Sequence, residues 1–228
     1  MKANESKFSV NTPYSASLNS GTMYKDEKFW NRIASKFDRI EQNDPTYKIF
    51  IEKARGYLKA VDTILDFGCG TGLICNEISE NVEFIHAIDI STKMIEISKN
   101  KAVLRNIKNI DFERTTIFNE KFKPGSLDAI IALNVFHLLE DPQTHFQRIN
   151  QILKPGGLII SSTPCMSETQ FLNTTLKLFS IIGMTPKLNS FTSSELEQML
   201  LSESFKTIEF GRIKPKSPIY LCILEKQS

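Results

Sequence analysis

Residues 64–72 read Ile-Leu-Asp-Phe-Gly-Cys-Gly-Thr-Gly, and nowhere else in the chain do residue types and spacing promise so much chemistry. An apolar run delivers a carboxylate, Asp66, and then three glycines at alternate positions, Gly68, Gly70 and Gly72. Glycines so placed let the backbone turn sharply from a strand into a helix and approach a ligand at the carboxyl end of a sheet. A dinucleotide fingerprint spaces its glycines G-x-G-x-x-G and offers a helix N-terminus to a diphosphate. Here position 73 is Leu, the third glycine comes one residue early, and Asp66 stands two residues before the first. A fixed anion beside the loop repels a diphosphate and attracts a ligand carrying a sulfonium or an ammonium. Cys69 reads as a small residue that fits inside the loop rather than as a nucleophile.

Such a loop needs a sheet to stand on, and the flanking periodicity supplies one. Short β-type runs fall at Thr63–Phe67, Glu83–Asp89, Asn109–Arg114, Leu127–Leu133 and Leu158–Ser162. Helical patterns separate them, among them Ser91 onward and Asp141 onward, the latter with Pro142 at its first position and Lys154-Pro155-Gly156-Gly157 as its stop. Strand and helix alternating at this spacing imply βαβ units, hence a Rossmann-like α/β doubly wound sheet with helices on both faces. Lys206–Arg212 and Ile219–Glu225 read as two further strands forming an antiparallel edge pair, which makes a seven-stranded, mostly parallel sheet. Thr192-Ser193-Ser194-Glu195 opens a helix as a capping box. Residues 1–22, dominated by Ser, Asn and Thr, read as a flexible arm. Residues 23–60 read as a helical cap of two helices broken at Asp44-Pro45, and 61–164 as the ligand-binding core. Residues 165–191 are either a lid or an ordinary packed helix, and 192–228 complete a single domain.

The motif D-x-G-x-G-x-G, the strand Phe84–Ile88 ending in Asp89, the stretch Leu127–Pro142 and the turn Leu153–Gly157 resemble class I S-adenosylmethionine-dependent methyltransferases of the small-molecule, "type 11" kind. The resemblance spans roughly Phe29 to Gly157 and implies S-adenosyl-L-methionine as methyl donor, with S-adenosyl-L-homocysteine as product. It implies that Gly68, Cys69 and Gly70 cradle the methionine part, with Asp66 helping its ammonium. Asp89 would receive the two ribose hydroxyls, and Ile90 and Met94 would cover the adenine. Asn134 and Val135 would lie beside the cofactor at the end of the fourth strand, and Trp30 would belong to a helical cap over the methionine end. The third strand departs from the family: many relatives carry Gly-Asp-Ala where this chain has Arg114-Thr115-Thr116. The Thr115 hydroxyl and the Thr116 backbone take over the expected adenine contacts.

The residues leave some roles open. His137 either packs at a strand end or moves a proton, and no other catalytic side chain is assigned. Trp30, Phe29 and Phe37 are either core of the cap or a cage for a cation. The 28 basic and 26 acidic side chains give a net charge of +2, too balanced for nucleic acid to be expected as a partner. No apolar run approaches the roughly 20 residues of a membrane span, and no secretory signal is legible, so a cytoplasmic protein is expected. Four cysteines without a C-x-x-C pair suggest neither a disulfide framework nor a metal site. The expected partner is a small-molecule methyl acceptor, met by a monomer or homodimer. Three rivals stand beside this reading: a protein that binds the cofactor without catalysis, an NAD-dependent oxidoreductase, and a methyltransferase acting on a macromolecule.

Overall fold

The computed structural model describes residues 21–41, 44–168, 188–200 and 204–227. The chain opens with α1 (Gly21–Glu41) and α2 (Pro45–Tyr57), then alternates through β1 (Thr63–Phe67), α3 (Leu73–Ile78), β2 (Phe84–Asp89), α4 (Thr92–Leu104) and β3 (Ile110–Arg114). It continues with β4 (Leu127–Leu133), α5 (Pro142–Ile152), β5 (Leu153–Pro164), α6 (Ser193–Leu200), β6 (Phe205–Arg212) and β7 (Ile219–Lys226). The seven strands form one sheet in the order β3-β2-β1-β4-β5-β7-β6. β1 to β5 run parallel, and β7 enters antiparallel between β5 and β6. The order reverses between β1 and β4, and that switch point is where an open α/β sheet leaves a crevice for a ligand.

Alternate residues of the central strands feed two cores, one on each face. Ile64, Ala129 and Ile131 pack with α2, α3 and α4 through Phe50, Ile74 and Ile95. Leu65, Ile130 and Ala132 pack with α5 and α6 through Phe146, Ile149, Leu196 and Leu200. Strands buried on both faces read as continuous apolar runs, which is why Leu127–Leu133 is nearly free of polar residues.

The helix starts fall where capping residues stand. Asp44 accepts from Thr46 N at 2.9 Å, Ser91 from Met94 N at 3.1 Å and Asp141 from Thr144 N at 3.1 Å. The box at Thr192 and Glu195 closes reciprocally, at 2.8 and 3.1 Å.

Three expectations need correction. α1 already includes Gly21 and Thr22, so a flexible arm cannot extend through residue 22; residues 1–20 lie outside the described ones. β5 begins at Leu153, five residues before the expected Leu158: α5 stops at Ile152, and Leu-Lys-Pro-Gly-Gly enters the sheet as an irregular first stretch beside β4. Gly156 takes a φ of 76° there, and the register opposite Leu127 and Ala129 shifts. Finally, β2 and β3 start at Phe84 and Ile110, one residue late, whereas β6 starts one early and β7 runs one longer. Of the stretch 165–191 read as a lid or packed helix, residues 169–187 lie outside the described ones.

Candidate functional site

The carboxyl ends of β1, β2 and β4 open into a cleft of about 310 Å³, the scale of a small-molecule site. The glycine loop forms its floor. Gly68 N and Cys69 N both donate to Ile88 O at 2.9 Å, and Gly72 N closes the turn on Cys69 O at 2.9 Å. Gly68, Gly70 and Gly72 take φ values of 75°, 53° and 77°, a region that side chains with a Cβ rarely adopt. A Cβ on Gly68 would stand 2.6 Å from Val135 Cγ2, and one on Gly70 would stand 3.3 Å from Phe37 Cε1. The loop is therefore clasped between the end of β4 and the cap.

Asp89 ties the loop to the next helix. Its Oδ2 accepts from Gly70 N at 3.0 Å and its Oδ1 from Ser91 N at 2.8 Å. Each oxygen keeps acceptor capacity for a ligand. Burial raises its pKa to about 6, against which the Ser91 and Gly70 amides act. Asp66 is 2% exposed, and its Oδ2 has no partner. Burial first, and then the charge of Asp89, lift its pKa to about 7. An unpartnered carboxylate oxygen in the wall of a cleft is an acceptor waiting for a donor.

Every residue singled out in the sequence as a cofactor contact lines this cleft: Asp66, Gly68, Cys69, Gly70, Asp89, Ile90, Met94, Thr115, Thr116, Asn134, Val135 and Trp30. His137 lines it as well. Of the two threonines, Thr115 already accepts from Asn119 Nδ2 at 3.0 Å, whereas Thr116 Oγ1 is buried without a partner. Thr115 keeps a second acceptor lone pair for a ligand, and Thr116 adds a hydroxyl that is wholly free. Asn134 bends into the left-handed region with a φ of 55°, a conformation Asn tolerates better than most residues, and leaves Oδ1 buried and unpartnered. Burial pulls the pKa of His137 down to about 4. The ring is therefore neutral at pH 7, and its Nδ1 has no partner. The thiol of Cys69 is buried and pushed well up in pKa, so it is no nucleophile at neutral pH.

Sequence reasoning passed over Asp26, His145 and the pair Leu138 and Leu139, which also line the cleft. His145 stacks on Phe67 with ring centroids 6.0 Å apart, and its Nδ1 lies 2.7 Å from Asp141 O. Asp26 stands one helical turn before Trp30, so the spacing i, i+4 was the signal that both share a face.

The cap is latched by a second stripe of α1. Glu27 pairs with Arg114 at 2.7 Å and accepts from Thr92 Oγ1 at 2.8 Å. Asn31 Oδ1 accepts from Ser91 Oγ at 2.7 Å and Lys93 N at 2.9 Å. Asp38 meets Thr71 and Lys101. Turned by one position, Asp26, Trp30 and Phe37 face the cleft.

Residues 58–207 match the family model described as a methyltransferase domain. The chain belongs to that methyltransferase domain family. The match begins after both cap helices. This methyltransferase-domain chain is 24% identical over 159 residues to a ubiquinone biosynthesis O-methyltransferase of Saccharophagus degradans, covering 69% of this chain and 66% of that one. It is 30% identical over 152 residues to a malonyl-[acyl-carrier protein] O-methyltransferase of Halalkalibacterium halodurans, covering 65% and 51%. The matches thus span from about half to two thirds of these relatives' lengths. Among solved structures, the N-methyltransferase NodS of Bradyrhizobium japonicum, in complex with S-adenosyl-L-homocysteine, superposes with a TM-score of 0.69 at 16% identity, over 90% of this chain and all of that one. At that identity the likeness establishes the fold. No described helix is long and apolar enough to cross a membrane.

Proposed function

We propose that the protein transfers a methyl group from S-adenosyl-L-methionine to a small-molecule acceptor. The observation that carries the reading is the buried Asp66 carboxylate, whose Oδ2 has no partner, beside a glycine loop whose backbone is pinned to Asp89. A diphosphate finds no matching charge there, whereas an amino acid ammonium and a ribose diol find acceptors at Asp66 and Asp89.

When bound, the sulfonium supplies an electrophilic methyl group. The chain's own part is to bind, align and keep water out. Gly68 and Gly70 leave room for the methionine chain, and Phe37 and Trp30 of α1 cover it with apolar surface. Met94 and Ile90 offer an apolar seat for the adenine, with the free Thr116 hydroxyl within the same wall. Asn134 Oδ1 and the neutral His137 ring offer hydrogen-bond acceptors to the O–H or N–H of an acceptor molecule. Alignment of this kind replaces a bimolecular encounter by an effectively intramolecular one, the main source of rate for a step that needs little acid–base help.

Titration calorimetry with S-adenosyl-L-homocysteine and, separately, NAD tests the reading. We expect saturable binding of the first and none of the second. Binding of NAD alone, or of neither, overturns it. Binding without methyl release from S-adenosyl-L-methionine over a broad acceptor panel would favour a non-catalytic binder.

A further inference from the structure

Beyond the donor, the cleft carries a charge pattern that the proposed function does not use. Asp26 is half-buried in its wall, and among the described residues neither a hydrogen bond nor an ion pair engages it. Glu27, its neighbour, is fully committed to Arg114 and Thr92, so the two carboxylates have different tasks. The cleft is also lined by Asn134, His137, Leu138 and Leu139, in a segment followed by Glu140. The charge of Glu140 reaches Asp26: burial and then Glu140 hold the Asp26 carboxyl above its ordinary pKa.

Two carboxylates thus lie near enough to act on each other, and among the described residues no ion pair engages Asp26. No lysine or arginine is found among the described residues lining the cleft, and its two histidines have lowered pKa values. One helical turn on from Asp26 stands Trp30, whose ring crosses that of Phe37 nearly at right angles with centroids 6.2 Å apart. The same cleft holds the buried, unpartnered Nδ1 of His137 and Oδ1 of Asn134, two polar atoms still in want of a ligand group. Carboxylate together with aromatic surface is the chemistry that selects an organic ammonium, by Coulomb attraction and by the negative faces of the rings. An anionic acceptor would meet repulsion from Asp26 and Glu140 and find no donor of positive charge.

Resting on the methyl-transfer reading, we infer that the acceptor is an organic cation: an apolar or aromatic body bearing a protonated amine, which Asp26 holds against Trp30. Asp26 is then a specificity-determining residue rather than a catalytic one.

The test uses the full chain saturated with S-adenosyl-L-homocysteine and three probes of one shape: tryptamine, tryptophol and indole-3-acetate. Affinities are measured by titration, with saturation-transfer NMR for weak binders. Tryptamine should bind about tenfold or more tighter than tryptophol, with indole-3-acetate weakest. Asp26→Asn should bring tryptamine and tryptophol to within about threefold, and Asp26→Lys should move the preference to indole-3-acetate. In each variant, unchanged S-adenosyl-L-homocysteine affinity certifies the fold. The inference is overturned if indole-3-acetate matches tryptamine on the unaltered protein, if the amine preference survives Asp26→Asn, or if none of the three binds while S-adenosyl-L-homocysteine does. Loss of S-adenosyl-L-homocysteine binding by the unaltered protein would instead overturn the methyl-transfer reading itself.

Discussion

Asp89→Asn separates the ligand role of that side chain from its structural one. In the folded chain its pKa is raised from an ordinary carboxylate value to about 6. A raised acid destabilises the folded state progressively as the pH climbs from the unfolded value to the folded one, and fully above it, so at pH 8 the buried charge costs about 3 kcal/mol, at 1.36 kcal/mol per unit. The amide removes that penalty. It also supplies one acceptor oxygen where the carboxylate gave two, so either Gly70 N or Ser91 N loses its partner, a loss of about 1–3 kcal/mol. The two effects nearly cancel, and Tm should move by only a few degrees. Ligand affinity has no such compensation. Two ribose hydroxyls that donated to a charged acceptor now compete for one neutral oxygen, which weakens binding by roughly 1.5–3 kcal/mol, or about 10–150-fold. Calorimetry with S-adenosyl-L-homocysteine at pH 8, beside a thermal melt of the free protein, reads both. Wild-type affinity in the folded variant would refute the ribose assignment. A collapse of Tm by more than about 10 °C would refute the cancellation, making Asp89 chiefly a tether for the loop.

Gly70→Val should abolish cofactor binding while circular dichroism stays near wild type, because a branched side chain at a φ of 53° presses on Phe37 and enters the cleft; retained binding would show that the loop does not approach the ligand. Affinity for S-adenosyl-L-homocysteine should fall as the pH drops from 8 to 5.5, since Asp66 and Asp89, with pKa values of about 7 and 6, take up protons and lose their pull on an ammonium and their full acceptor strength; a flat profile by calorimetry counts against both roles. Amides of residues 24–40 should gain hydrogen-exchange protection when S-adenosyl-L-homocysteine is added, because α1 rests on the core largely through polar latches that open locally; equal protection in both states would make it a fixed element.

The local signals in the sequence carried most of this architecture. Glycines at alternate positions after an apolar strand, Asp89 at the end of the next strand and the capping residues Asp44, Ser91 and Asp141 each act within a few residues of themselves, so spacing alone reveals them. What escaped depends on distant partners. The early start of β5 arises because Leu153–Gly157 pairs irregularly beside β4, and a Lys-Pro-Gly-Gly run by itself reads as a turn. Thr116 holds a free hydroxyl in the wall, and Thr115 shares its own with Asn119, because Asn119 folds back on the segment. Asp26 reads as one more charge on a solvated helix face until α1 is laid across the cleft. His145 belongs to a helix whose cap was legible, yet its place in the wall comes from stacking on Phe67, nearly eighty positions away.

The weak anchoring of α1 bears on how such a protein can diversify. Of the described side chains between residues 26 and 39, Ala34 alone is fully buried, while the two cores are built from α2 onward. The segment that meets the acceptor is therefore almost absent from the hydrophobic ledger, and it lies upstream of the stretch shared with the family. Substitutions along Asp26, Trp30 and Phe37 can drift, or the whole helix be exchanged for another, with little penalty to folding, because selection for a stable sheet does not act on them. New acceptors can be explored by drift at Asp26, while Trp30 and Phe37 stay tied to the donor they cover.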